Sequence, residues 1–128
     1  MPLKIGNWNL VADLQNAILD IKSVDAQGNV TGTIQWGAAS SSAIAISGAW
    51  SETLKQLTFS YTIRTEVDGI PIIYLVFFVG YLFQAGDPLF NASPGPVTTA
   101  AWNLLAGTWH GGLTLHPYQQ GWVARIGA

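Results

Sequence analysis

The sequence predicts an all-β protein that folds as a single up-and-down antiparallel β-barrel of eight strands over residues 1–128. Apolar and polar residues alternate with period two in most segments, as in strands with one face on a core. Turn-forming residues separate these runs at short intervals, and no segment shows a sustained helical spacing of apolar residues. A closed barrel is favoured because so few charged residues could protect exposed sheet edges.

The alternation is clearest in two runs. Between Val30 and Trp36 the even-numbered residues are apolar or glycine, whereas between Leu57 and Arg64 the odd-numbered residues are apolar. Segments that contain glycine, aspartate, asparagine or proline, which are residues typical of turns, lie between such runs, as at 25–29 and 68–69. Dividing the chain at these turns predicts strands at 5–12, 16–24, 29–37, 43–50, 57–65, 72–84, 98–115 (with an interruption) and 121–127.

Residues 70–83 form the most apolar run and carry no charge. A membrane helix needs about 20 apolar residues, and this shorter run contains Pro71 and Gly80, so we expect no transmembrane segment. We predict instead a strand buried on both faces. Because a lone barrel leaves its outer face in water, this burial predicts a homodimer or homotetramer. The alternative is that part of the run is a crossover or a loop packed on the barrel.

The composition excludes several classes of protein. Only 9% of the residues are charged, and the five cations are scattered singly, which argues against nucleic-acid binding. The absence of cysteine excludes a disulfide scaffold and thiolate metal sites. The chain becomes polar by Asn7 and lacks a signal peptide pattern, so we expect a cytoplasmic protein or one exported without a leader.

Six short motifs occur in an order typical of one family. They are Gly6-Asn7-Trp8, 28–33, 57–64, Phe78-Val79-Gly80, 102–105 and 122–127. In type and order they resemble the avidin/streptavidin family, part of the calycin group of up-and-down barrels. The resemblance implies an eight-stranded barrel with ligand entry at one mouth and oligomers packed through the outer face. It also implies a cation–π pair that closes the barrel's end, in which Arg125 of the last strand stacks on Trp8 of the first.

The resemblance further implies a wall for a ligand. The family surrounds the apolar part of biotin with tryptophans and a phenylalanine, and it donates one tryptophan, here Trp122, across a subunit interface. We add Trp36 to this predicted wall because it points inward by parity. It also precedes a stretch of small and polar residues at 37–42, where the family has its lid. The predicted ligand-binding residues are Trp36, Phe78, Trp102, Leu104 and Trp122.

The polar half of the family's biotin site has no counterpart here. The family's first-strand asparagine falls at Leu10, its third-strand tyrosine at Ile34 and the next inward hydroxyl at Trp36. Its fifth-strand tryptophan falls at Thr65, and its last-strand asparagine or aspartate would lie beyond Ala128. A buried polar group without a partner costs about 1–3 kcal/mol, so we expect poor biotin binding.

Leu10, Ile34 and Trp36 have large side chains, which would fill the lumen if they point inward. The strand register decides whether they do. A slip of one residue would instead turn Asn9, Thr33 and Gln35 into the barrel and restore a polar site.

Three functions follow from these observations. The first is a non-enzymatic barrel that binds a small, largely apolar ligand. The second is a carbohydrate-binding or protein-interaction (lectin-like) barrel with a packed lumen. The third, an enzyme with a site at the barrel mouth, has little support because the chain lacks nucleophile and phosphate-loop motifs. His110 and His116 would lie about 20 Å apart on one strand unless Gly111-Gly112 folds the chain back, so we predict no enzyme, no cofactor and no metal.

Overall fold

The computed structural model describes residues 3–37, 42–84, 102–111 and 120–127, and in these ranges every regular element is a β-strand. The same ranges contain no helix long and apolar enough to cross a membrane. The strands are β1 (Gly6–Ala12), β2 (Gln15–Val24), β3 (Asn29–Trp36), β4 (Ile44–Ser51), β5 (Gln56–Val67), β6 (Ile70–Gln84), β7 (Trp102–Gly111) and β8 (Gln120–Gly127). They form a closed barrel in chain order, with every neighbouring pair antiparallel and β8 paired with β1. The predicted fold class is confirmed.

Two of the hairpins turn through a pair of adjacent residues with positive φ. Asp68 and Gly69 join β5 to β6 with φ of 52° and 76°, and Asp13 and Leu14 join β1 to β2 with φ of 50° and 61°. Two positive values in a two-residue loop are typical of a type I′ turn, whose twist matches that of the flanking strands. Of the predicted strand at 98–115, the structure describes β7 at Trp102–Gly111, and the rest of the predicted range lies outside the described residues.

The strands alternate between buried and exposed residues. In β1, Leu10 is buried whereas Asn9 is exposed, and in β3, Ile34 is buried between Thr33 and Gln35, which take the outward positions. The register with Leu10 and Ile34 inward is therefore the one adopted. The alternative register, with the three polar residues inward, is wrong.

Aromatic and aliphatic side chains fill most of the lumen. Phe59 and Phe78 stack with ring centroids 4.6 Å apart, and Trp122 packs edge-on against them at 5.9 and 5.5 Å. Gly80 makes room for this indole, since a Cβ there would lie 2.4 Å from Cζ2 of Trp122. We call the following buried residues the packed core: Trp8, Leu10, Leu19, Ile21, Val30, Ile34, Leu57, Phe59, Phe78, Leu105 and Trp122.

The apolar run at 70–83 forms one continuous strand, β6, so the alternative of a crossover or packed loop is wrong. Within a single chain only one face of β6 is covered. Val76 and Leu82 point into the barrel, whereas Leu75 and Tyr81 on the outer face are 54% and 45% exposed. Burial of the outer face by a second subunit stays a prediction.

Candidate ligand-binding site

A cavity of about 340 Å³ opens at one end of the barrel. Its rim is formed where strands begin or end: Ala12 ends β1, Gln15 begins β2, Trp36 ends β3 and Gly111 ends β7. The hairpin of β5 and β6 extends beyond this rim and supplies Tyr61, Ile63, Tyr74 and Val76 to the wall. The packed core fills the lumen below. We call this space the mouth cavity.

Four aromatic side chains dominate the wall, one each from β3, β5, β6 and β7: Trp36, Tyr61, Tyr74 and Trp109. The indole Nε1–H of Trp36 donates a hydrogen bond to the hydroxyl oxygen of Tyr61 at 3.0 Å. Trp109 stacks on Phe78 of the packed core, with centroids 5.8 Å apart and planes 15° from parallel. Tyr61 also packs on Phe78, at 6.2 Å. Phe78 thus holds two rings of the wall in place from below.

The cavity wall is essentially neutral. Burial raises the pKa of the Tyr61 hydroxyl, and the hydrogen bond from Trp36 offsets part of this effect. Tyr61 therefore stays protonated at neutral pH, and its O–H remains available as a donor. Asp13, exposed at the rim, is the one carboxylate among the described lining residues. A buried charge without a partner is unfavourable, so this wall suits an uncharged ligand.

Of the residues predicted to bind a ligand, Trp36 lies in the wall of the mouth cavity and Phe78 lies directly beneath it. Trp122 does not reach the cavity. Its Nε1–H donates to the backbone carbonyls of Val79 and Thr108, both at 3.1 Å, and the ring is buried in its own barrel. Within the single chain Trp122 thus packs in its own barrel, and its expected donation across a subunit interface stays a prediction.

The predicted β7 residues lie away from the cavity. Trp102 begins β7, whereas the mouth is reached at Trp109, about 20 Å further along the strand. Leu104 lies on the opposite face of β7 from the buried Leu105 and pairs with Arg125. Leu104 thus does not line the mouth cavity, and the side chain of Trp102 lies outside the described residues, so their roles in ligand binding stay predictions.

The structure does not bring together Arg125 and Trp8, the pair predicted to close the barrel's end. Arg125 is exposed on the outer face of β8, opposite Asn9 of β1. Trp8 points into the barrel, where it is fully buried and its Nε1–H donates to the backbone carbonyl of Lys4 at 3.0 Å. Leu3 is buried in the same hydrophobic cluster, so the segment before β1 helps to cover this end of the barrel.

Sequence reasoning missed three of the four aromatic wall residues. Tyr61 shares the inward parity of Leu57 and Phe59, so the alternation of β5 already contained the signal. Trp109 shares the inward parity of the buried Leu105 on β7, so the alternation of this strand also contained the signal. Tyr74 lies in the apolar run of β6, where uniform hydrophobicity hides the alternation.

The polar groups at the opposite end of the barrel serve the fold. Glu52 pairs with Lys55 and accepts a hydrogen bond from Nε1 of Trp50 at 2.8 Å, and these interactions lower the pKa of its carboxyl to about 2. Asp25 accepts hydrogen bonds from the side chain and backbone of Asn29 and from the backbone of Gln27, and they hold its pKa below the ordinary value. Both carboxylates therefore stabilise turns.

The predicted absence of a metal site stays a prediction. His110 packs against Phe77 of β6 with ring centroids 5.6 Å apart, and His116 lies outside the described residues. In the part of the chain that the structure covers, no three metal-ligating side chains come together.

Comparison with known proteins adds one finding. No protein-family model and no curated protein matches the sequence. Among solved structures, the chain is similar to a low-affinity mutant of shwanavidin, with a TM-score of 0.59, 16% sequence identity and coverage of 98% of both chains. At this identity the similarity bears on the fold. Together with the closed antiparallel barrel, it shows that this chain has the avidin-like fold of eight strands.

Proposed function

We propose that the protein is a non-enzymatic barrel that binds a small, neutral, largely apolar ligand in the mouth cavity. One observation carries the proposal: a cavity of about 340 Å³, walled by four aromatic rings, stays open above a lumen that is otherwise filled. This volume lies at the lower end of the range for small-molecule sites, which are mostly apolar with a few polar groups.

The lining residues favour binding over catalysis. The described part of the cavity wall contains no histidine, cysteine, lysine or serine that could act as a base or nucleophile. The Tyr61 hydroxyl is held in its protonated form because burial raises its pKa. Asp13 lies at the exposed rim, where it cannot be shielded from water.

Biotin is expected to be a poor ligand. Leu10 and Ile34 are buried and apolar at positions where the avidin family has hydrogen-bonding side chains, so the ureido group would lose several partners. Each lost hydrogen bond weakens binding by about 0.5–1.5 kcal/mol, which predicts a Kd for biotin that is micromolar or weaker. Titration calorimetry measures it directly, and nanomolar binding would contradict this assignment.

The site is tested with a neutral fluorescent probe, N-phenyl-1-naphthylamine, and a pair of matched variants. Ile63 lines the mouth cavity, whereas Ile73 lies on the outer face of the same hairpin and is exposed. Ile63→Trp fills the cavity and should abolish the rise in probe fluorescence, and Ile73→Trp should leave it unchanged. Equal binding to both variants would place the probe on the outer surface and overturn the proposal.

We also propose that the outer face of β6, β7, β8 and β1 forms an interface in a homodimer or homotetramer. The strand registers align Tyr81, Ala106, Val123 and Val11 in one apolar row across these four strands. Tyr81, Val123 and Val11 are exposed in the single chain, and a second subunit would remove this surface from water.

Light scattering of the wild-type protein and of Val123→Lys tests the interface. We expect a dimer or tetramer that the substitution dissociates, whereas Thr62→Lys on the exposed outer face of β5 should have no effect. A wild-type monomer would contradict the interface. A monomer that also bound glycans but not the neutral probe would favour the lectin-like alternative.

A further inference from the structure

The hairpin of β5 and β6 continues beyond the barrel as a two-stranded ribbon. β4 pairs with β5 as far as Ser60, and β7 pairs with β6 from Val76 onwards. Beyond these points, the described part of the chain shows the two strands paired only with each other. Their register is unbroken as far as Val67 and Ile70, about 20 Å further along. We call residues 61–75 the ribbon.

One face of the ribbon is apolar and uncharged beyond the point where the barrel has a core to cover. Ile63 and Tyr74 are paired on this face and line the mouth cavity. The outward positions of β5 instead carry Arg64 and Glu66. The residues that share the inward parity of the cavity wall, which we call the apolar track, are Ile63, Thr65, Val67, Ile70, Ile72 and Tyr74. An apolar surface bounded by polar residues is typical of a binding groove.

The track begins in the cavity wall and ends in solvent. Tyr61, at the rim, is buried, Ile72 is half-buried, and Ile70 near the tip is 63% exposed. Opposite Ile70, Val67 is 44% exposed. A ligand that extends out of the mouth cavity along this face would therefore contact the pairs in order from the rim to the tip.

The charges of the ribbon bear on what covers the track. Asp68 lies in the turn at its tip, and Glu66 lies close by on the outward face. Insertion of the tip into a lipid bilayer would bury these carboxylates first, which is unfavourable. Continuity with the mouth cavity instead favours the ligand of that cavity as the occupant.

We propose that the apolar track binds an unbranched alkyl chain of the ligand, whose compact head group occupies the mouth cavity. The cavity of about 340 Å³ is about twice the volume of roughly 150 Å³ that accepts a benzene ring, so it suits a head group with one or two rings. The inference rests on the proposed function, since it requires that the mouth cavity binds a small ligand, and it specifies that ligand's class.

The length of the track limits the length of the chain. The pair Ile63–Tyr74 and the pair Val67–Ile70 lie four residues apart along the strands, which corresponds to about 13 Å. With C–C bonds of about 1.5 Å, an extended alkyl chain advances about 1.3 Å per carbon, so about ten carbons span the track.

The test uses unbranched 4-alkylphenols, which are neutral at pH 7, in competition with N-phenyl-1-naphthylamine. Full burial of a methylene group raises affinity about fourfold, so contact with the ribbon on one side should raise it about twofold. On this basis 4-nonylphenol should bind about thirtyfold more tightly than 4-butylphenol. Filling the cavity in Ile63→Trp should abolish the binding of both probes.

Ile70 and Ile73 provide a matched pair of variants. They lie on the same strand and are 63% and 60% exposed, but they occupy opposite faces of the ribbon. Ile70→Thr should weaken 4-nonylphenol about fourfold, since about two methylene groups lose their contact, and should leave 4-butylphenol unchanged because its chain ends before Ile70. Ile73→Thr should leave both affinities unchanged. Threonine keeps the β-branch that suits a strand, and thermal unfolding verifies that each variant is folded.

The outcomes distinguish this inference from the function on which it rests. If N-phenyl-1-naphthylamine binds but chain length has no effect, or Ile70→Thr and Ile73→Thr weaken 4-nonylphenol equally, the track is refuted and the mouth cavity stands. If no probe binds in the cavity, the proposed function is refuted and the track with it.

Two further measurements identify another occupant. A change of oligomeric state in Ile70→Thr, seen by light scattering, would assign the track to a second copy of the chain. Binding to phosphatidylcholine vesicles by the wild type but not by Ile70→Thr would assign it to a membrane. Either result would overturn the proposal.

Discussion

The packed core and the mouth cavity are both built from aromatic side chains at inward positions, but they differ in how their polar atoms are paired. In the core, the indoles of Trp8 and Trp122 donate to backbone carbonyls that the chain holds in place. At the mouth, the indole N–H of Trp36 donates to the side-chain hydroxyl of Tyr61, and the buried Nε1 of Trp109 has no hydrogen-bond partner. The core thus pairs its indole N–H groups with the chain's own backbone, whereas the mouth leaves one buried indole N–H of the described residues unpaired.

The largest expected difference between the two regions is in stability. Trp122→Ala removes a buried indole, its contacts with two phenylalanines and two hydrogen bonds, and should lower the free energy of unfolding by about 3–5 kcal/mol. Trp36→Ala, at the half-buried mouth, should lower it by about 1–2 kcal/mol. Urea unfolding followed by far-UV circular dichroism compares them. Equal losses would mean that the mouth is packed as tightly as the core.

The pairing of Trp36 with Tyr61 predicts a smaller effect that depends on pH. Tyr61→Phe removes the acceptor of the Trp36 indole and should lower the free energy of unfolding by about 1 kcal/mol at pH 7. The raised pKa of Tyr61 means that the unfolded chain loses this proton first as the pH rises above 10.0, so the wild-type protein loses stability there.

Tyr61→Phe should therefore show a weaker alkaline loss of stability than the wild type. Thermal unfolding between pH 8 and pH 11 provides the comparison. Parallel profiles for the wild type and Tyr61→Phe would contradict the burial of this hydroxyl.

The rim of the mouth contains a residue that we expect to be replaceable with a gain in stability. Leu14 has a φ of 61° and is 98% exposed, so its side chain contributes little while its backbone is in the left-handed region. Leu14→Gly creates the Asp-Gly sequence preferred in type I′ turns and should raise the free energy of unfolding by about 0.5–1 kcal/mol. Thr62→Gly in an exposed strand position should instead lower it. A loss in Leu14→Gly would show that the leucine side chain has a partner.

The smallest effect is expected at the opposite end of the barrel. Arg125 is exposed on the outer face, so Arg125→Ala should change the free energy of unfolding by no more than about 0.5 kcal/mol. Trp8→Phe, which removes the hydrogen bond to Lys4, should have a larger effect. A loss of several kcal/mol in Arg125→Ala would revive the stacking of Arg125 on Trp8.

Parity places some of the predicted residues differently from the family resemblance. Trp122 and Arg125 are three residues apart on one strand, so they take opposite faces of β8, with Trp122 in the lumen and Arg125 outside. In the same way, Leu104 and the buried Leu105 occupy opposite faces of β7. The family resemblance assigned these residues one by one, whereas a regular strand constrains them together.

What the sequence by itself determined was the closed eight-stranded barrel and the inward face of most strands. Alternation is a local property, so Leu10, Ile34 and Phe59 could be placed inside from their neighbours alone. Position along the barrel axis was decided only by the tertiary structure, because it depends on the registers of all eight strands. That is why Trp109 rather than Trp102 reaches the mouth. The cavity, too, is what remains after side chains from every strand have packed, and no single strand contains that information.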